Sequence, residues 1–557
     1  MTANPAGMKF LFEPRGVAVI GASHTRGKIG YRVVENIVAG GYAGKIYPVN
    51  PRGGELLGLQ VHTRLDELDG PVDVAMVVVP AAAAFSAVEQ CARKGVKFAV
   101  IITSGFSEVG NTVEERRIAN YAREHGLRVV GPNVFGLYSA SASLNATFGP
   151  SDVKSGNVAI ITQSGAIGIA MIGKTSVEGI GLSAMISVGN KSDVDETDLL
   201  EYLSVQDDSR VVLMYLEGVK SGERLVEVLK NTTRKKPVIA IKSGRSTRGA
   251  QAAASHTGSL AGEDKVFDDI ARQCGVIRAE SIQEALNWCK FLPDAPMPGG
   301  EDVVVITNGG GIGVLTADAC EKYGVNLSDD VADLKRSFES VMPSFGSAKN
   351  PVDITGNASP DDYDRALGVA LVNENIDAVA CLGCQTASFD AERFAAIAER
   401  RCREYSSVKP LVFSLFGGAE VEQSIVALKL KGIPVFSDVY EMTAFLGALY
   451  TDYRNKSTEP AKVEEANIDT VAIDRVVVRA RADGRHSLLA YEAQEVMRAA
   501  GIMTPESRIA HNPNEAVRCA EAIGYPVVMK VVSGDILHKS DAGGLALDLE
   551  NEREVLE

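Results

Sequence analysis

Residues 158–168, VAIITQSGAIG, indicate the fold of this chain more directly than any other stretch. The run of β-branched and small apolar residues at 158–162 is typical of a buried strand, and the small residues that follow open a helical pattern. Residues 303–313, VVVITNGGGIG, repeat this arrangement. A buried strand that turns directly into a helix is the unit from which parallel sheets covered by helices are built. The sequence therefore predicts an α/β protein.

Apolar runs of the same kind alternate with helical patterns almost throughout the chain. Linkers rich in glycine, proline or polar residues separate them into groups near residues 149–156, 293–300 and 455–467. The predicted strands are 17–20, 45–49, 74–79, 98–103 and 127–130 in the first group, 158–162, 183–188, 211–216 and 237–241 in the second, and 303–307, 377–382, 411–415 and 433–436 in the third. We predict four domains, at 1–145, 150–295, 300–455 and 468–557, the first of them Rossmann-like.

Composition excludes several classes of protein. The 557 residues carry 57 Lys and Arg against 72 Asp and Glu, a net charge of −15, which argues against a nucleic-acid partner. There is no apolar run of 18 residues and no N-terminal signal pattern, so no membrane partner is expected. The eight cysteines lack the spacing of a secreted framework, and Cys381 and Cys384 continue an apolar run at a strand end. We expect a large cytoplasmic enzyme with reduced thiols.

The two strand-to-helix junctions have the character of phosphate sites. Free N–H groups at a helix start attract an anion, and the helix dipole adds to that attraction. A histidine, His256, lies in a stretch almost free of bulky side chains, residues 245–262, RSTRGAQAAASHTGSLAG, which we expect to be a loop. An ordinary loop histidine is the simpler interpretation; the two junctions favour a phosphohistidine held between two helix N-termini. The predicted phosphate-binding residues are Gln163, Ser164, Gly165, Ala166, Gly309, Gly310 and Gly311.

The first domain carries a basic, glycine-bounded turn after its first strand, residues 21–30, GASHTRGKIG. It is not a P-loop, because five residues separate Gly21 from Gly27 and Ile29 replaces the hydroxyl residue. It is not GxGxxG either. An NAD site would need an acidic residue after the second strand, where this chain has Asn50 and Pro51. The turn suits a pyrophosphate-bearing ligand other than a dinucleotide.

Taken together, these motifs resemble those of the nucleoside-diphosphate-forming acyl-CoA synthetases, relatives of succinyl-CoA synthetase, over the whole chain. The resemblance implies a CoA-binding domain, two flavodoxin-like ligase domains and the N-terminal part of an ATP-grasp domain. It implies that His256 carries phosphate and that Glu217 steadies the phosphohistidine, although a strand-end carboxylate can also serve as a helix cap. It assigns coenzyme A to Gly21, Ser23, Lys28, Asn50, Pro51, Val79, Pro80, Ser104, Gly105 and Asn133.

Two departures from the family pattern are visible. Val134 and Phe135 follow Gly131-Pro132-Asn133 where the commoner continuation is GPNCxG. In the ATP-grasp segment, the resemblance implies that Lys530 contacts ATP or ADP phosphates and that His538 takes up phosphate as well, a lid-orienting histidine being the alternative. The chain then stops at Glu557. We expect the Mg²⁺ ligands beyond that residue and the natural protein to be longer.

The resemblance implies an ADP-forming ligase that joins a small carboxylic acid to CoA through phosphohistidine and acyl-phosphate intermediates, reversibly. Two alternatives stay open. One is an enzyme of the same superfamily that acts on an unusual acid, such as a hydroxy acid, with a further step; the other is a non-catalytic acyl-CoA sensor. The pocket for the acid is expected from loops near residues 136–145, 163–168 and 341–355, and a homodimer is expected.

Overall fold

The computed structural model describes residues 5–257, 264–343, 345–459, 467–534 and 543–557, without the side chains of residues 5, 6 and 253–257. The chain forms two compact units, Met1–Thr458 and Glu459–Glu557. The first unit contains the three predicted parallel-sheet domains packed together. None of the helices in the described ranges is both long and apolar enough to span a membrane.

The first sheet is parallel, with strand order β2-β1-β5-β6-β7. Strands β1, β5 and β6 are buried along their whole length, which explains why they appear in the sequence as continuous apolar runs. The elements are α1 Pro5–Phe12, β1 Gly16–Ile20, α2 Ile29–Ala39, β2 Lys45–Val49, β3 Glu55–Leu56, β4 Leu59–Gln60, β5 Val74–Val77, α3 Ala81–Lys94, β6 Phe98–Ile101, α4 Thr112–Glu124 and β7 Arg128–Val130. A short 3-10 turn, Ser107–Val109, precedes α4.

The second sheet has seven strands in the order β14-β13-β12-β10-β11-β8-β9. The elements are β8 Gly136–Ser139, β9 Leu144–Thr147, β10 Ser155–Thr162, α5 Gly165–Glu178, β11 Leu182–Ser187, α6 Glu196–Leu203, β12 Val211–Leu216, α7 Gly222–Thr233, β13 Val238–Lys242, α8 Thr247–Thr257, α9 Asp264–Gln273, β14 Ile277–Arg278 and α10 Ile282–Phe291. Strands β10 to β14 pair in parallel, whereas the hairpin β8–β9 is antiparallel to β11.

Two features of this region differ from the expectation. Residues 136–145, expected as a loop of the first domain, form the strands β8 and β9 of the second sheet, because β8 pairs with β11. Both strands are buried, and the turn at 140–143 between them is partly exposed. Residues 247–257 form helix α8 instead of a loop, so His256 lies in the last turn of a helix. The run of alanines before His256 explains this, since alanine has the highest helix propensity. Residues 258–262 lie outside the described part of the chain.

The third sheet is parallel, in the order β16-β15-β17-β18-β19. The elements are β15 Val303–Thr307, α11 Gly310–Tyr323, α12 Val331–Phe338, β16 Val352–Asp353, α13 Pro360–Val372, β17 Ala378–Cys384, α14 Ala391–Tyr405, β18 Leu411–Phe416, α15 Ala419–Leu430, β19 Val435–Phe436 and α16 Val439–Ser457. Cys381 and Cys384 lie on β17, at its middle and end, as free thiols. Their expected place on a strand is confirmed.

In all three sheets the chain adds one strand on one side of its first parallel strand and then crosses to the other side. The point of reversal lies between β1 and β5, between β10 and β12, and between β15 and β17. In open α/β sheets, ligands bind at this reversal, outside the carboxyl ends of the strands. The topology therefore marks three places to examine for function.

The second unit contains α17 Thr470–Ala482, α18 Ala490–Ala499, α19 Pro513–Ile523, β20 Val527–Lys530, β21 Leu545–Leu549 and α20 Glu552–Leu556. The strands β20 and β21 pair antiparallel, and Lys530 ends β20 with its side chain exposed, on a strand as expected. Residues 535–542, which include His538, lie outside the described part of the chain.

A buried carboxylate controls the acid stability of this second unit. Glu492 is fully buried and accepts two hydrogen bonds from the Arg485 guanidinium, at 2.7 and 2.8 Å, and one from the Leu489 N–H. The Arg485 hydrogen bonds lower the pKa of Glu492 to about 2. A carboxyl with a lowered folded-state pKa contributes stability above its unfolded pKa and loses it as the pH falls through the folded value.

We therefore expect the stability of the second unit to fall between about pH 5 and about pH 2, and Glu492→Gln to flatten that dependence. Hydrogen exchange of peptides from α18, corrected for the intrinsic pH dependence of exchange, would measure it. Glu495→Gln is the matched control, because Glu495 is an exposed residue of the same helix with a single 3.4 Å contact to Arg479. Equal profiles for the two variants would contradict the assignment.

Candidate active site

The reversal point of the second sheet holds Gln163 and Glu217, which follow β10 and β12. The Gln163 Oε1 accepts the backbone N–H groups of Glu217 and Gly218, at 2.9 and 3.1 Å. The Gln163 N–H in turn donates to the Tyr215 carbonyl. Gln163 and Glu217 are each 7% exposed. The side-chain carbonyl of Gln163 thus fixes the Glu217 peptide, a role different from the phosphate contact predicted from the sequence.

Helix α5 begins directly beside this pair. Ser164 is its N-cap, and the Ser164 Oγ accepts the N–H of Ile167. As residues of the first helical turn, Gly165 and Ala166 have N–H groups without a carbonyl partner inside the helix, which leaves these groups available to an anion. A Cβ at Gly168 would lie 2.4 Å from the Phe135 ring. Phe135, which departs from the family pattern, is therefore the buried residue on which α5 rests.

A buried ion pair supports Glu217 from the other side. The Lys191 Nζ lies 3.0 Å from Glu196 Oε2 and donates to the Gly218 carbonyl at 2.5 Å. Both charged residues are almost inaccessible to solvent, and burial raises the pKa of Glu196 against the opposing effect of Lys191. Lys191 has a φ of 54°, a left-handed conformation that a side chain rarely adopts. Strained backbone of this kind concentrates at functional sites.

Lys191→Met is expected to destabilise the first unit by about 3–5 kcal/mol, because it leaves the Glu196 carboxylate buried without a counter-ion. The double variant Lys191→Met/Glu196→Met should recover most of that loss, since apolar side chains of similar volume can replace a buried pair. Denaturant unfolding of both variants measures the difference. An equal loss in the single and double variants would show that the pair is not the source of the effect.

Helix α8, which carries His256, starts five residues after β13, the hydrogen-bonded neighbour of β12. It is anchored at its start, where the Ser246 Oγ accepts the Gly249 N–H and Arg245 lies 3.5 Å from Asp264. It contacts the 3-10 turn Ser107–Val109 of the first domain. The side chain of His256 lies outside the described residues. The helix thus connects the Glu217 edge with the first domain.

Lys242, at the end of β13, adds a cation to this edge. It is 4% exposed, and burial lowers its pKa while Asp264 and Glu217 oppose the shift. The Lys242 Nζ donates to the Ser243 carbonyl at 2.5 Å. The second sheet therefore places a buried ammonium and a buried carboxylate at the same edge.

At the reversal point of the third sheet, an amide side chain again forms hydrogen bonds with the backbone of a neighbouring strand. The Asn308 side chain exchanges two hydrogen bonds with the backbone of Cys384, each 2.9 Å long. The Gly309 N–H donates to Thr307 Oγ1 at 3.0 Å, so it is not directed at a ligand. The Asp353 Oδ2 lies 3.3 Å from where a Gly310 Cβ would stand. A carboxylate therefore already lies beside the predicted second phosphate terminus.

The first sheet gathers the predicted coenzyme A residues along one edge. They follow five strands: Gly21, Ser23 and Lys28 after β1, Asn50 and Pro51 after β2, Val79 and Pro80 after β5, Ser104 and Gly105 after β6, and Asn133 after β7. Gly21 has a φ of 96°, and a Cβ at Gly30 would lie 2.2 Å from its carbonyl oxygen. The turn thus approaches α2 as closely as backbone allows, and Lys28 stands exposed at the helix N-cap.

Several polar groups of this edge already have partners. The Ser23 Oγ accepts the Thr25 N–H, and the Asn50 amide donates to the Ala22 carbonyl. The N–H groups of Gly105 and Phe106 donate to Glu108, and that of Ser107 donates to Glu115. The Ser104–Ser107 turn is therefore held by carboxylates, so the Gly105 N–H is not available to a phosphate.

A cavity of about 350 Å³ lies between the first and second domains. Asn133, Gln163, Glu217 and Lys220 line it together with α4 and the turn after β11. Burial lowers the pKa of Lys220, whose Nζ donates to the carbonyls of Asn190 and Lys191. The motifs of the sequence did not point to the turn after β11, although Gly189-Asn190-Lys191 directly after a buried strand was a usable signal. Of the loops expected to form the acid pocket, 163–168 contributes Gln163 to this cavity.

The described residues contain no group of three or more His, Cys, Asp or Glu side chains that could hold a metal ion. The Mg²⁺ expected with the nucleotide is therefore not assigned to any residue that the structure describes.

Comparison with known proteins agrees with this geometry. The α subunit of ADP-forming acetate–CoA ligase I from Pyrococcus furiosus is 48% identical over 449 residues, which are 80% of this chain and 97% of that protein. The chain belongs to the ADP-forming acetate–CoA ligase family. Domain models of the family match in order: a CoA binding domain at 15–139, a succinyl-CoA ligase like flavodoxin domain at 155–292, a ligase-CoA domain at 303–460 and an ATP-grasp domain at 479–557.

Two further members of the ADP-forming ligase family show how far the similarity extends. The 4-hydroxybutyrate–CoA ligase of Nitrosopumilus maritimus is 33% identical over 553 residues, 98% of this chain and 78% of that protein. The dinucleotide forming acetyl-coenzyme A synthetase 1 of Ca. Korarchaeum cryptofilum, solved with phosphate and ADP, superposes with a TM-score of 0.78 at 41% identity, over 81% of this chain and 97% of that one. The family, the α/β fold and the acid–thiol ligase class expected from the sequence are confirmed.

Proposed function

We propose that this chain catalyses the reversible, ADP-forming ligation of a small carboxylic acid to coenzyme A. The observation that carries the proposal is the placing of Glu217. It is buried at the reversal point of the second sheet, fixed by Gln163, beside the N-terminus of α5 and one strand from the β13–α8 connection that leads to His256. A fixed carboxylate and helix N–H groups are the parts needed to hold a phosphohistidine.

The reaction divides into four transfers. A His538 ring nitrogen attacks the γ-phosphorus of ATP, so that a P–N bond forms, the bond to ADP breaks and a ring proton is lost. A His256 ring nitrogen then attacks that phosphorus, so that the P–N bond to His538 breaks, His256 loses a ring proton and His538 regains one. A carboxylate oxygen of the acid then attacks the same phosphorus, giving an acyl phosphate and free histidine. Finally the CoA thiol attacks the acyl carbonyl, its proton is lost, and phosphate leaves. The α5 N–H groups stabilise charge on the moving phosphoryl group.

The proposal has two direct tests, the first of which needs no nucleotide. Acetyl phosphate and CoA should give acetyl-CoA and phosphate, and ATP, acetate and CoA should give ADP. Formation of AMP, or the absence of both products with CoA still bound, would contradict the proposal and favour the acyl-CoA sensor.

A hydroxy acid is the second candidate substrate, and the similarity to the 4-hydroxybutyrate ligase over nearly the whole chain favours it. A panel of acetate, propionate, 3-hydroxypropionate and 4-hydroxybutyrate, compared by kcat/KM, separates the two candidates. A preference for the hydroxy acids would identify the acid and leave the reaction class unchanged.

We further propose that the enzyme works in the cytoplasm as a homodimer. All eight cysteines are free thiols, which suits a reducing compartment. The assembly is what the family resemblance implies, and sedimentation measures it.

A further inference from the structure

Asn190 belongs to the second domain but makes its side-chain contacts with the first. It lies in the turn after β11, and its Nδ2 donates to Glu108 Oε2 at 2.6 Å and to Glu115 Oε2 at 2.8 Å. Its Oδ1 lies 3.4 Å from the Asn133 amide. One side chain therefore connects the two turns that follow β6 and β7, where the thiol-bearing cofactor is expected.

The two carboxylates that Asn190 joins have a second task. Glu108 accepts the N–H groups of Gly105 and Phe106, and Glu115 accepts that of Ser107. Burial would raise the pKa of Glu108, but the hydrogen bonds from Gly105 and Asn190 lower it overall. The Asn190 amide therefore donates to the same two carboxylates that accept the N–H groups of the turn after β6.

The backbone of Asn190 is fixed equally firmly. Its N–H donates to the Pro132 carbonyl at 3.0 Å, and its carbonyl accepts the Lys220 Nζ at 2.9 Å. A Cβ at the preceding Gly189 would lie 2.2 Å from the Pro132 carbonyl oxygen, so the two turns approach as closely as backbone allows. The next residue, Lys191, holds the Gly218 carbonyl beside Glu217. A continuous series of hydrogen bonds runs from the cofactor edge to the phosphoryl edge.

We propose that Asn190 is a positioning residue for thioester formation: it sets the Ser104–Ser107 and Pro132–Asn133 turns against the Glu217 edge, so that the CoA thiol reaches the acyl phosphate. The inference rests on the proposed function. In the step concerned, sulfur forms a bond to the acyl carbon, the carbon–oxygen bond to phosphate breaks, and phosphate leaves with the bonding pair. Phosphoryl transfer to His256 forms no bond to the CoA thiol, so it should depend on Asn190 much less than thioester formation does, although α8 contacts the Ser107–Val109 turn.

With acetyl phosphate, histidine phosphorylation and thioester formation can be measured separately on the same protein. Without CoA, acetyl phosphate labels the histidine; with CoA it yields acetyl-CoA. In Asn190→Ala we expect kcat/KM for CoA in acetyl-CoA formation to fall about ten- to hundredfold, because two hydrogen bonds to charged groups are lost and the turn they hold is released. The rate of histidine labelling should fall by no more than about threefold, since labelling does not need the CoA thiol.

Asn36→Ala is the matched control. Asn36 is a buried asparagine on α2 whose amide also donates two hydrogen bonds between the same domains, to the carbonyls of Thr147 and Gly149 at 2.8 and 3.0 Å. It lies away from the cofactor edge, so its loss should not change kcat/KM for CoA. A similar fall in both variants would show that any weakening of the domain interface has this effect, and would overturn the proposal.

A donor–acceptor exchange gives a second, independent readout. Asn190→Asp puts a third carboxylate beside Glu108 and Glu115 and should impair thioester formation more than Asn190→Ala. Adding Glu115→Gln restores an amide-to-carboxylate hydrogen bond with reversed direction and should recover most of the loss. No recovery, or an equal loss of labelling and thioester formation in Asn190→Ala, would overturn the proposal. Wild-type protein that gives neither product would overturn the proposed function itself.

Discussion

His256→Ala is expected to lose acyl-CoA synthesis by at least about a thousandfold, because the variant lacks the nucleophile on which a covalent route depends. The loss should fall on kcat, while CoA binding should survive, since the cofactor edge lies on the first sheet. Helix α8 should persist, because alanine is the most favourable helix residue and position 256 is in its last turn.

The measurement is an acid-labile, base-stable label from acetyl phosphate, absent in His256→Ala and present in wild type. His511→Ala is the control, since His511 is exposed in the second unit. Full labelling of His256→Ala by acetyl phosphate would contradict the assignment of His256 as the acyl-side acceptor. Labelling that then disappears on adding His538→Ala would place that role on His538.

The sheets could be predicted because their strands are buried on both faces and therefore appear as apolar runs. β2, β12 and β15 begin and end where the pattern indicates. The hairpin β8–β9 does not appear among the predicted strands, because its two strands are short and its pairing with β11 joins residues more than 40 positions apart. The small side chains of α8 favour the prediction of a loop. The structure has a helix there because alanine, which is frequent in this segment, has the highest helix propensity.

The candidate site also has residues that could be predicted from the sequence and residues that could not. Glu217 and Gln163 could be located because the ends of neighbouring parallel strands meet at one edge. Their supports could not be predicted, because Lys191 reaches Gly218 from 27 residues away and Asn190 reaches Glu108 from 82 residues away. Such contacts depend on how the domains pack, and no local pattern encodes them. The resemblance to a family supplied roles for residues without supplying these partners.

Glu217→Gln is expected to slow histidine phosphorylation by about a hundredfold. The substitution keeps the size of the side chain, so Gln163 can still hold its peptide, and only the negative charge is removed. That charge stabilises the ring proton on the nitrogen opposite the phosphorylated one. Rapid-quench labelling with acetyl phosphate measures the rate.

Two comparisons decide whether Glu217 acts on the histidine or only on the fold. Glu223→Gln, at an exposed position in the first turn of α7, removes the same charge from the next helix and should leave labelling unchanged. An unfolding midpoint for Glu217→Gln equal to that of wild type would separate the catalytic loss from instability. If Glu217→Gln labels as fast as wild type, the carboxylate is a strand-end cap as its local sequence also allows, and the N–H groups of α5 alone hold the phosphoryl group. If it labels slowly but at normal stability, the charge is part of the reaction.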